Sequence, residues 1–381
     1  MGVTSPALAS GSPARPQSQR MLAEQHRKAV NSALFQAVAA GNIDGVRQAL
    51  SAGAGIDARD NQGDTPLMRA AIAGNTAIVK MMLEAGAAVN AGTYRDDTAL
   101  ILAAFTGHTA TCDLLIEHGA NVNAEDNYGF TPLLCATIRG NIALVSRLLD
   151  AGAEPNQAND KGDTPLRFAS RDSRTDIIQL LLDHGADINY RNQGGISALL
   201  QASLRDDVET VDYLCKRGAD PNMADNHGRL ALVIAVRDGN TDLCHVLLNA
   251  HADPNLAWAK TPPIYMALAV GRTDVMEALL GGGADANLRD CAGRTPLTVA
   301  VEKRNAVMTR ILLDHGAMPS GNRADGMTPL KLAALKGYTG IAKLLLSRGA
   351  DSEAMTNRTT IASIASRHGH RDIMALINAQ R

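Results

Sequence analysis

The chain has 381 residues, with 37 Lys and Arg against 39 Asp and Glu, so its formal net charge is −2 at pH 7. This balance argues against general binding to nucleic acid or to an anionic membrane surface. No stretch approaches the roughly 20 apolar residues that a membrane helix requires, so we expect no membrane insertion. The five cysteines, odd in number and scattered, do not predict a disulfide framework, and we expect a reduced, cytoplasmic protein.

Residues 1–20 are rich in Ser, Pro and Ala and too poor in apolar residues to fold, which predicts a disordered tail without a secretory signal peptide. The stretch from Arg20 to Val30 is expected to be helical and to cover the exposed N-terminal end of the folded part of the chain. A leader of this composition also resembles the start of bacterial effectors exported by a needle-type system. Secretion into a host cell is therefore the alternative location.

A Gly-Ala pair recurs every 33 residues along most of the chain. A period of this size predicts a solenoid, in which each unit buries its apolar face only against its neighbours. The series has one irregularity, because His251 replaces a glycine and one residue is missing after it. The glycines in register are Gly53, Gly86, Gly119, Gly152, Gly185, Gly218, Gly283, Gly316 and Gly349.

A second motif, Thr-Pro-Leu-x-x-Ala, keeps step with the glycines, and Thr65 to Ala70 shows the task of each position. The Thr hydroxyl can cap a helix, and Pro suits the first helical position, where no N–H is needed. Leu67 and Ala70 share one helix face, and the small Ala allows a close neighbour. A second helix comes after Gly74-Asn75 and ends at the left-handed cap of Gly86.

These residues resemble the ankyrin repeat, with its Thr-Pro-Leu-x-x-Ala, Gly-His or Gly-Asn, and Leu-Leu-x-x-Gly-Ala-Asp-x-Asn. The resemblance covers about residues 31–379 and implies an all-α ankyrin-repeat solenoid of about 11 units. We expect a single solenoid over residues 21–381, with a capping helix and partial repeat over 21–60 and ten repeats over 61–381. The final short helix is expected to act as the other cap. The family also implies protein binding without catalysis.

The chain shows no phosphate loop, nucleophile elbow or paired-His zinc helix, so we expect no enzyme activity, no cofactor and no metal. His118, His184 and His315 share one repeat position before a capping glycine and lie in repeats that are not adjacent. Cys135 and Cys215 occupy positions normally filled by Leu, and Phe168 and Tyr213 lie in apolar positions, so all four are expected in the core.

In the ankyrin family, partners usually meet the hairpin tips and the two residues that end the first helix of each repeat. In this chain seven of the twenty residues at those helix ends are basic and three are acidic, although the whole chain is slightly acidic. An acidic segment of a protein partner could bind along this line. Alternatively, the basic residues simply suit the negative end of a helix dipole. The predicted binding residues are Arg139, Arg171, Arg205, Arg237, Lys303 and Lys336.

Only a few aromatic residues are present, so their positions are informative. Those at the hairpin tips of repeats 2 and 3, together with neighbouring groove residues, have the composition of an interaction hot spot. The alternative is that bulky tip residues pack only on the next hairpin. This predicted patch consists of Tyr94, Phe105, Tyr128, Phe130, Ile138 and Arg139.

The irregular stretch from His251 to Gly283 contains the only tryptophan, Trp258, at a shortened hairpin. His251 should cost about 1 kcal/mol if its backbone stays left-handed. Sequence drift explains the irregularity most simply. The alternative is a local weak point with Trp258 as a partner contact.

Overall fold

The computed structural model of the protein describes residues 15–321, 326–354 and 359–380. Within these residues it contains 22 α-helices and no strand; isolated bridge residues occur, as at Gly92–Thr98 and Trp258–Thr261. The predicted all-α repeat architecture is confirmed. Residues 1–14, which hold most of the predicted tail and the candidate export signal, lie outside the described residues.

The helices come in pairs, one pair for each repeat. They are α1 (Arg15–Ala39), α2 (Ile43–Ser51), α3 (Pro66–Ile72), α4 (Thr76–Glu84), α5 (Ala99–Thr106), α6 (Thr109–Glu117), α7 (Pro132–Arg139), α8 (Ile142–Asp150), α9 (Pro165–Arg171), α10 (Thr175–Asp183), α11 (Ala198–Ser203), α12 (Val208–Lys216), α13 (Ala231–Asp238), α14 (Thr241–Asn249), α15 (Pro263–Val270), α16 (Thr273–Gly281), α17 (Pro296–Glu302), α18 (Ala306–Asp314), α19 (Pro329–Lys336), α20 (Thr339–Ser347), α21 (Ile361–Arg367) and α22 (Arg371–Asn378).

The described chain divides into two compact units, and the single solenoid over residues 21–381 stays a prediction. Unit 1 is Met1–Ala169 with Asp176–Ala186, and unit 2 is Ser170–Thr175 with Asp187–Arg381. Within each unit, the first helix of a pair contacts the first helix of the next pair, and second helices contact second helices. Each unit is therefore a two-layer stack of helix pairs.

The helix ends follow from the repeat motif. Thr65 accepts a hydrogen bond from the Met68 N–H at the start of α3, and Pro66 takes the first helical position. Asn75 caps α4 in the same way through the Ile78 N–H. The recurrent glycines have positive φ, and His251 keeps that conformation at φ 65°. The condition attached to the expected cost at His251, a left-handed backbone, is therefore met.

The core lies between the two helix layers. The alanine that ends the Thr-Pro-Leu-x-x-Ala motif is at most 1% exposed in all ten repeats, because the helices pass too close for a larger side chain. These residues are Ala70, Ala103, Ala136, Ala169, Ala202, Ala235, Ala267, Ala300, Ala333 and Ala365. Phe168 and Cys135 are buried as predicted. Tyr213 and Cys215 are only half-buried, so their assignment to the core is wrong. They lie on α12, where the Tyr213 hydroxyl bonds Arg217 at 2.8 Å.

Asparagine side chains join successive repeats. The Asn90 Oδ1 accepts the Asn121 N–H at 2.8 Å, and its Nδ2 donates to the Gly119 carbonyl at 3.1 Å. Asn123 repeats both bonds one unit later, to Glu154 and Gly152. Unit 2 carries the same two bonds at Asn222 and Asn287. Each bond satisfies a backbone group of the turn that follows a second helix, outside the helix itself.

The first helix differs from its predicted role. The described part of α1 starts at Arg15, inside the predicted tail. Its side chains are exposed from residue 19 to residue 29, with Met21 at 63% and Leu22 at 64%. Only the second half of α1 packs, burying Leu34 and Val38 against α2 and α3. The stretch from Arg20 is thus helical, but its first half projects from the fold instead of covering it.

The missing residue of the irregular stretch is lost from a hairpin turn. In the other hairpins the hydrogen bond that closes the turn joins residues four positions apart, as from the Asp225 N–H to the Arg229 carbonyl. In the shortened hairpin the bonded residues, Trp258 and Thr261, are only three positions apart. The two residues between them, Ala259 and Lys260, have φ of 48° and 65°. Positive φ at both central positions defines a type I′ turn, which normally requires Asn or Gly. The shortened hairpin is therefore strained.

Tyr265, which follows the shortened hairpin, makes a contact between repeats that was not identified from the sequence. Its buried hydroxyl lies 2.7 Å from the Leu288 carbonyl oxygen and 2.5 Å from that of Arg294, in the hairpin of the next repeat. Burial raises the pKa of this hydroxyl, so it remains a donor at physiological pH. One side chain thus ties the shortened repeat to its neighbour.

We expect Tyr265→Phe to lower the free energy of unfolding by about 1–2 kcal/mol, because it leaves a part-buried carbonyl unpaired without changing the ring. Urea unfolding followed by circular dichroism measures this loss. Tyr338→Phe is the matched control, since it removes a hydroxyl that makes no hydrogen bond among the described residues. Equal stability of Tyr265→Phe and the wild type would contradict the anchoring role.

Candidate protein-binding surface

Two tyrosines lie at successive hairpin tips of unit 1. Tyr94 is 70% exposed and Tyr128 is 55% exposed. The tips are joined by the Asn127 N–H, which donates to the Arg95 carbonyl at 2.9 Å. Their spacing is therefore fixed by the backbone. The ring of Tyr94 also lies against Gly63, where an added Cβ would come within 2.7 Å of it. The Tyr94 side chain therefore packs on the preceding hairpin and is still largely exposed to solvent.

Phe105 and Arg139 form a fixed pair on the groove side of α5 and α7. The Arg139 Nε donates to the Phe105 carbonyl at 2.5 Å, and its guanidinium carbon lies 5.2 Å from the centre of the Phe105 ring. This is a cation–π geometry. Phe105 remains 55% exposed, so one face of the pair is open to a partner. The bond to the helix-end carbonyl holds the arginine in place before any partner binds.

The remaining patch residues are less accessible. Phe130 and Ile138 are both half-buried. No ring-to-ring contact joins Tyr94, Phe105, Tyr128 and Phe130 within the described part of the chain. The structure thus brings Phe105 and Arg139 into contact and links the two tyrosine tips through the backbone. Whether the partner covers all six residues stays a prediction.

In unit 2 two of the predicted groove arginines are neutralised by the next residue. Arg171 forms two hydrogen bonds of 2.8 Å with Asp172, and Arg237 forms two of 2.8 Å with Asp238. Hydrogen bonding from the arginine is the main cause that holds the pKa of Asp172 and of Asp238 below its usual value. The acidic residues of this line therefore cancel part of its positive charge.

The other groove cations of unit 2 are exposed. Lys303 donates its ammonium to the Ala269 carbonyl at the end of the preceding first helix, at 2.9 Å. This contact matches the expectation that cations suit helix C-termini. Arg205 and Lys336 are exposed and form no ion pair among the residues described. The uncompensated positive charge of this unit's groove is therefore carried by fewer residues than the sequence count indicates.

Trp258 is half-buried and belongs to the hairpin fold. Its indole N–H donates to the His227 carbonyl of the preceding hairpin at 3.1 Å, and its ring edge lies near Gly228. The side chain thus spans two tips, and it takes the position held by the turn-closing Asp225 one repeat earlier. These contacts explain why a large side chain stands there; a contact with a partner stays a prediction.

A family model that describes three consecutive ankyrin repeats matches the chain over residues 19–93, 92–159, 125–192, 166–257 and 264–356. These matches cover most of the chain. The protein belongs to the ankyrin-repeat family. Ankyrin repeats are in general protein–protein interaction modules, which agrees with exposed aromatic residues at fixed spacing on a stack of helix pairs.

Two relatives of known description share short segments with the ankyrin chain. An ankyrin repeat-containing protein of Treponema pallidum is 43% identical over 53 residues, covering 14% of this chain and 18% of that protein. The ADP-ribosylation factor GTPase-activating protein AGD4 of Arabidopsis thaliana is 42% identical over 57 residues, covering 15% of this chain and 7% of its own. The chain thus spans less than a fifth of either relative.

The ankyrin stack disperses the residues that could form a chemical site. His118, His184 and His315 each place Nδ1 within 2.9 Å of the carbonyl four residues earlier, so all three serve their own helix ends. Among the described residues, no three His, Cys, Asp or Glu side chains are grouped to hold a metal ion. No described helix combines the length and apolar character needed to span a membrane.

All five cysteines are free thiols; Cys112, Cys135 and Cys244 are buried, and Cys215 is half-buried. Burial raises the pKa of Cys112, Cys135 and Cys244 to about 12, and that of Cys215 to about 11. Because the thiolate is the reactive form, these four thiols are almost entirely unreactive at pH 8. Cys291 is exposed at a hairpin tip.

We therefore expect maleimide at pH 8 to label one thiol rapidly in the folded protein and all five in 6 M guanidinium. Intact-mass spectrometry counts the labels, and Cys291→Ser should abolish the rapid reaction. Rapid labelling at two or more positions of the folded protein would show that the helix layers open more readily than their packing implies.

Proposed function

We propose that this ankyrin-repeat protein is a non-enzymatic scaffold or adaptor that binds a protein partner through the exposed aromatic residues of unit 1. The observation that carries this proposal is the Phe105–Arg139 pair, which is open on one face and fixed on the other by the helix-end carbonyl. Exposed aromatic residues beside arginine are typical of interaction hot spots.

The rigidity of the stack supports binding with useful affinity. Tyr94 and Tyr128 are held at tips that hydrogen-bond each other, and Arg139 loses little rotamer freedom on binding because it is already bonded. Preorganised side chains reduce the entropic cost of association. A partner that presents an apolar strip beside a carbonyl or carboxylate would complement both the rings and the guanidinium.

We expect Phe105→Ala to weaken capture of the partner by at least tenfold, because truncating a hot-spot aromatic residue typically costs about 2 kcal/mol or more. Immobilised wild-type and variant proteins are incubated with lysate of the source cells, and the bound proteins are quantified by mass spectrometry. A Tyr94→Ala/Tyr128→Ala variant should lose the same partners.

Val270→Ala is the matched control, because Val270 is a 69% exposed apolar residue at a first-helix end outside the aromatic patch. It should keep the wild-type partner list. Partner lists unchanged by both Phe105→Ala and Tyr94→Ala/Tyr128→Ala, with unchanged melting temperatures, would overturn the proposal for the aromatic surface.

We further propose that the groove of unit 2 contributes electrostatic attraction to an acidic segment of a partner, through Arg205, Lys303 and Lys336. The exposed positions of these side chains support it, and the pairing of Arg171 and Arg237 with neighbouring aspartates limits their part. Attraction of this kind acts mainly on association and on specificity, and it is screened by salt.

A partner held by this groove should therefore be released between 0.1 M and 0.5 M NaCl, whereas a partner held by the aromatic patch should remain bound. Arg205→Glu/Lys336→Glu should lose the salt-sensitive partner at low salt. The charge-matched control is Lys216→Glu/Arg310→Glu, which alters exposed cations on second helices. Equal loss in both double variants would assign the effect to net charge instead of the groove.

A further inference from the structure

A separate cavity opens on unit 1 between α1, α3 and the hairpin of residues 59–63. Its volume is about 700 Å³, which is ample for one large side chain and part of its backbone. Phe35 of α1 and Ile72 of α3 supply its apolar walls, and both side chains are half-buried. Ser32 and Ala73 at its edge are small and exposed, which keeps the entrance open.

An arginine is fixed at this entrance. The Nη1 of Arg59 donates to two backbone carbonyls, that of Gly63 at 2.8 Å and that of Gly92 at 2.6 Å. The side chain is exposed, and no described carboxylate pairs with it. Its Nε and Nη2 make no hydrogen bond within the described chain, so one edge of the guanidinium fork remains open. A fork held in this way is preorganised to bind a carboxylate.

The one acidic residue of the cavity does not neutralise Arg59. The Asp60 Oδ2 accepts two hydrogen bonds from Arg69, and its Oδ1 accepts the N–H groups of Gln62 and Asp64. Although partial burial alone would raise it, these hydrogen bonds hold the pKa of Asp60 below its usual value. Asp60 shares Arg69 with Asp64, whose Oδ2 lies 3.0 Å from the Arg69 Nε, and neither carboxylate forms an ion pair with Arg59 among the described residues. Arg59 is therefore the lining cation that a carboxylate of a partner can reach.

We propose that this cavity is a second docking site, which binds a peptide segment of a protein partner with one bulky apolar side chain and a neighbouring Asp or Glu. The apolar side chain packs on Phe35 and Ile72, and the carboxylate accepts hydrogen bonds from the open edge of Arg59. The proposal shares with the proposed function only the premise that the ligand is a protein. It involves none of the residues of the aromatic patch.

Random dodecapeptides displayed on phage, with their C-termini fused to the coat protein, supply a probe without free α-carboxylates. After selection on the full-length protein, we expect enriched peptides to carry an acidic residue within two positions of a bulky apolar one. The most enriched sequence, made as a blocked fluorescent peptide, should lose at least tenfold in affinity when its acid is replaced by the amide.

Two variants of the protein test the cavity from different sides. Arg59→Ala removes the fixed cation, and Ser32→Glu places a negative charge at the entrance while leaving Arg59 intact. Both variants should lower the affinity for the selected peptide at least tenfold, as measured by fluorescence polarisation. Arg191→Ala is the matched control, because Arg191 makes the equivalent bond to its own hairpin glycine, Gly195, at 3.1 Å. It should bind within twofold of the wild type.

Failure to enrich any peptide, or selected peptides that lack the acidic residue, would overturn the proposal. So would wild-type affinity in both Arg59→Ala and Ser32→Glu. Phe105→Ala should bind the peptide as the wild type does, so a negative pull-down at the aromatic patch and a positive result at the cavity remain distinguishable.

Discussion

The recurrent asparagine makes two hydrogen bonds that join each repeat to the next. One amide accepts an N–H and donates to a carbonyl of the following repeat, as Asn90 does with Asn121 and Gly119. A single helix pair is too small to bury its own apolar face, so it is stable only when its neighbours are held at the correct distance. Because these bonds recur at equal spacing within each unit, residues at the same repeat position fall along a line, and the binding surfaces depend on that line.

The groove cations illustrate how structural and functional roles combine. Arg139 and Lys303 donate to the final carbonyls of the preceding first helix, which satisfies groups that would otherwise depend on water. Both cations thus lie at a helix C-terminus, although it is that of the preceding repeat and not of their own helix. This position does not compete with binding, because the same bond fixes the Arg139 guanidinium over the Phe105 ring and prepares it for a partner. Arg171 and Arg237 differ, since a neighbouring aspartate already occupies each guanidinium.

Local residue patterns determine local structure, and that part was predictable. Thr65, Pro66 and Ala70 correctly indicated a capped helix with one close-packed face, and His251 was recognised as a left-handed position. Contacts between repeats were not predictable, because they depend on how far apart consecutive units lie. Tyr265 reaches a hairpin 23 to 29 residues away, and Arg59 reaches Gly92 at 33 residues, yet neither residue stands out in its own repeat. The projecting half of α1 was missed because nothing in residues 19–29 signals the absence of a packing partner.

The irregular stretch shows how a solenoid tolerates the loss of one residue. Deletion within a helix would rotate every later side chain to another face, whereas deletion at a hairpin tip leaves both helices in register. The cost falls on Ala259 and Lys260, each in a left-handed conformation that costs a residue with a Cβ about 1 kcal/mol. Trp258 and Tyr265 bond the hairpins before and after the shortened turn, so this repeat stays joined to both of its neighbours. These bonds already account for both large side chains, so a partner contact at Trp258 requires its own evidence. Tyr94, Phe105 and Tyr128 differ from Trp258 because each stays more than half exposed beside its own packing contacts.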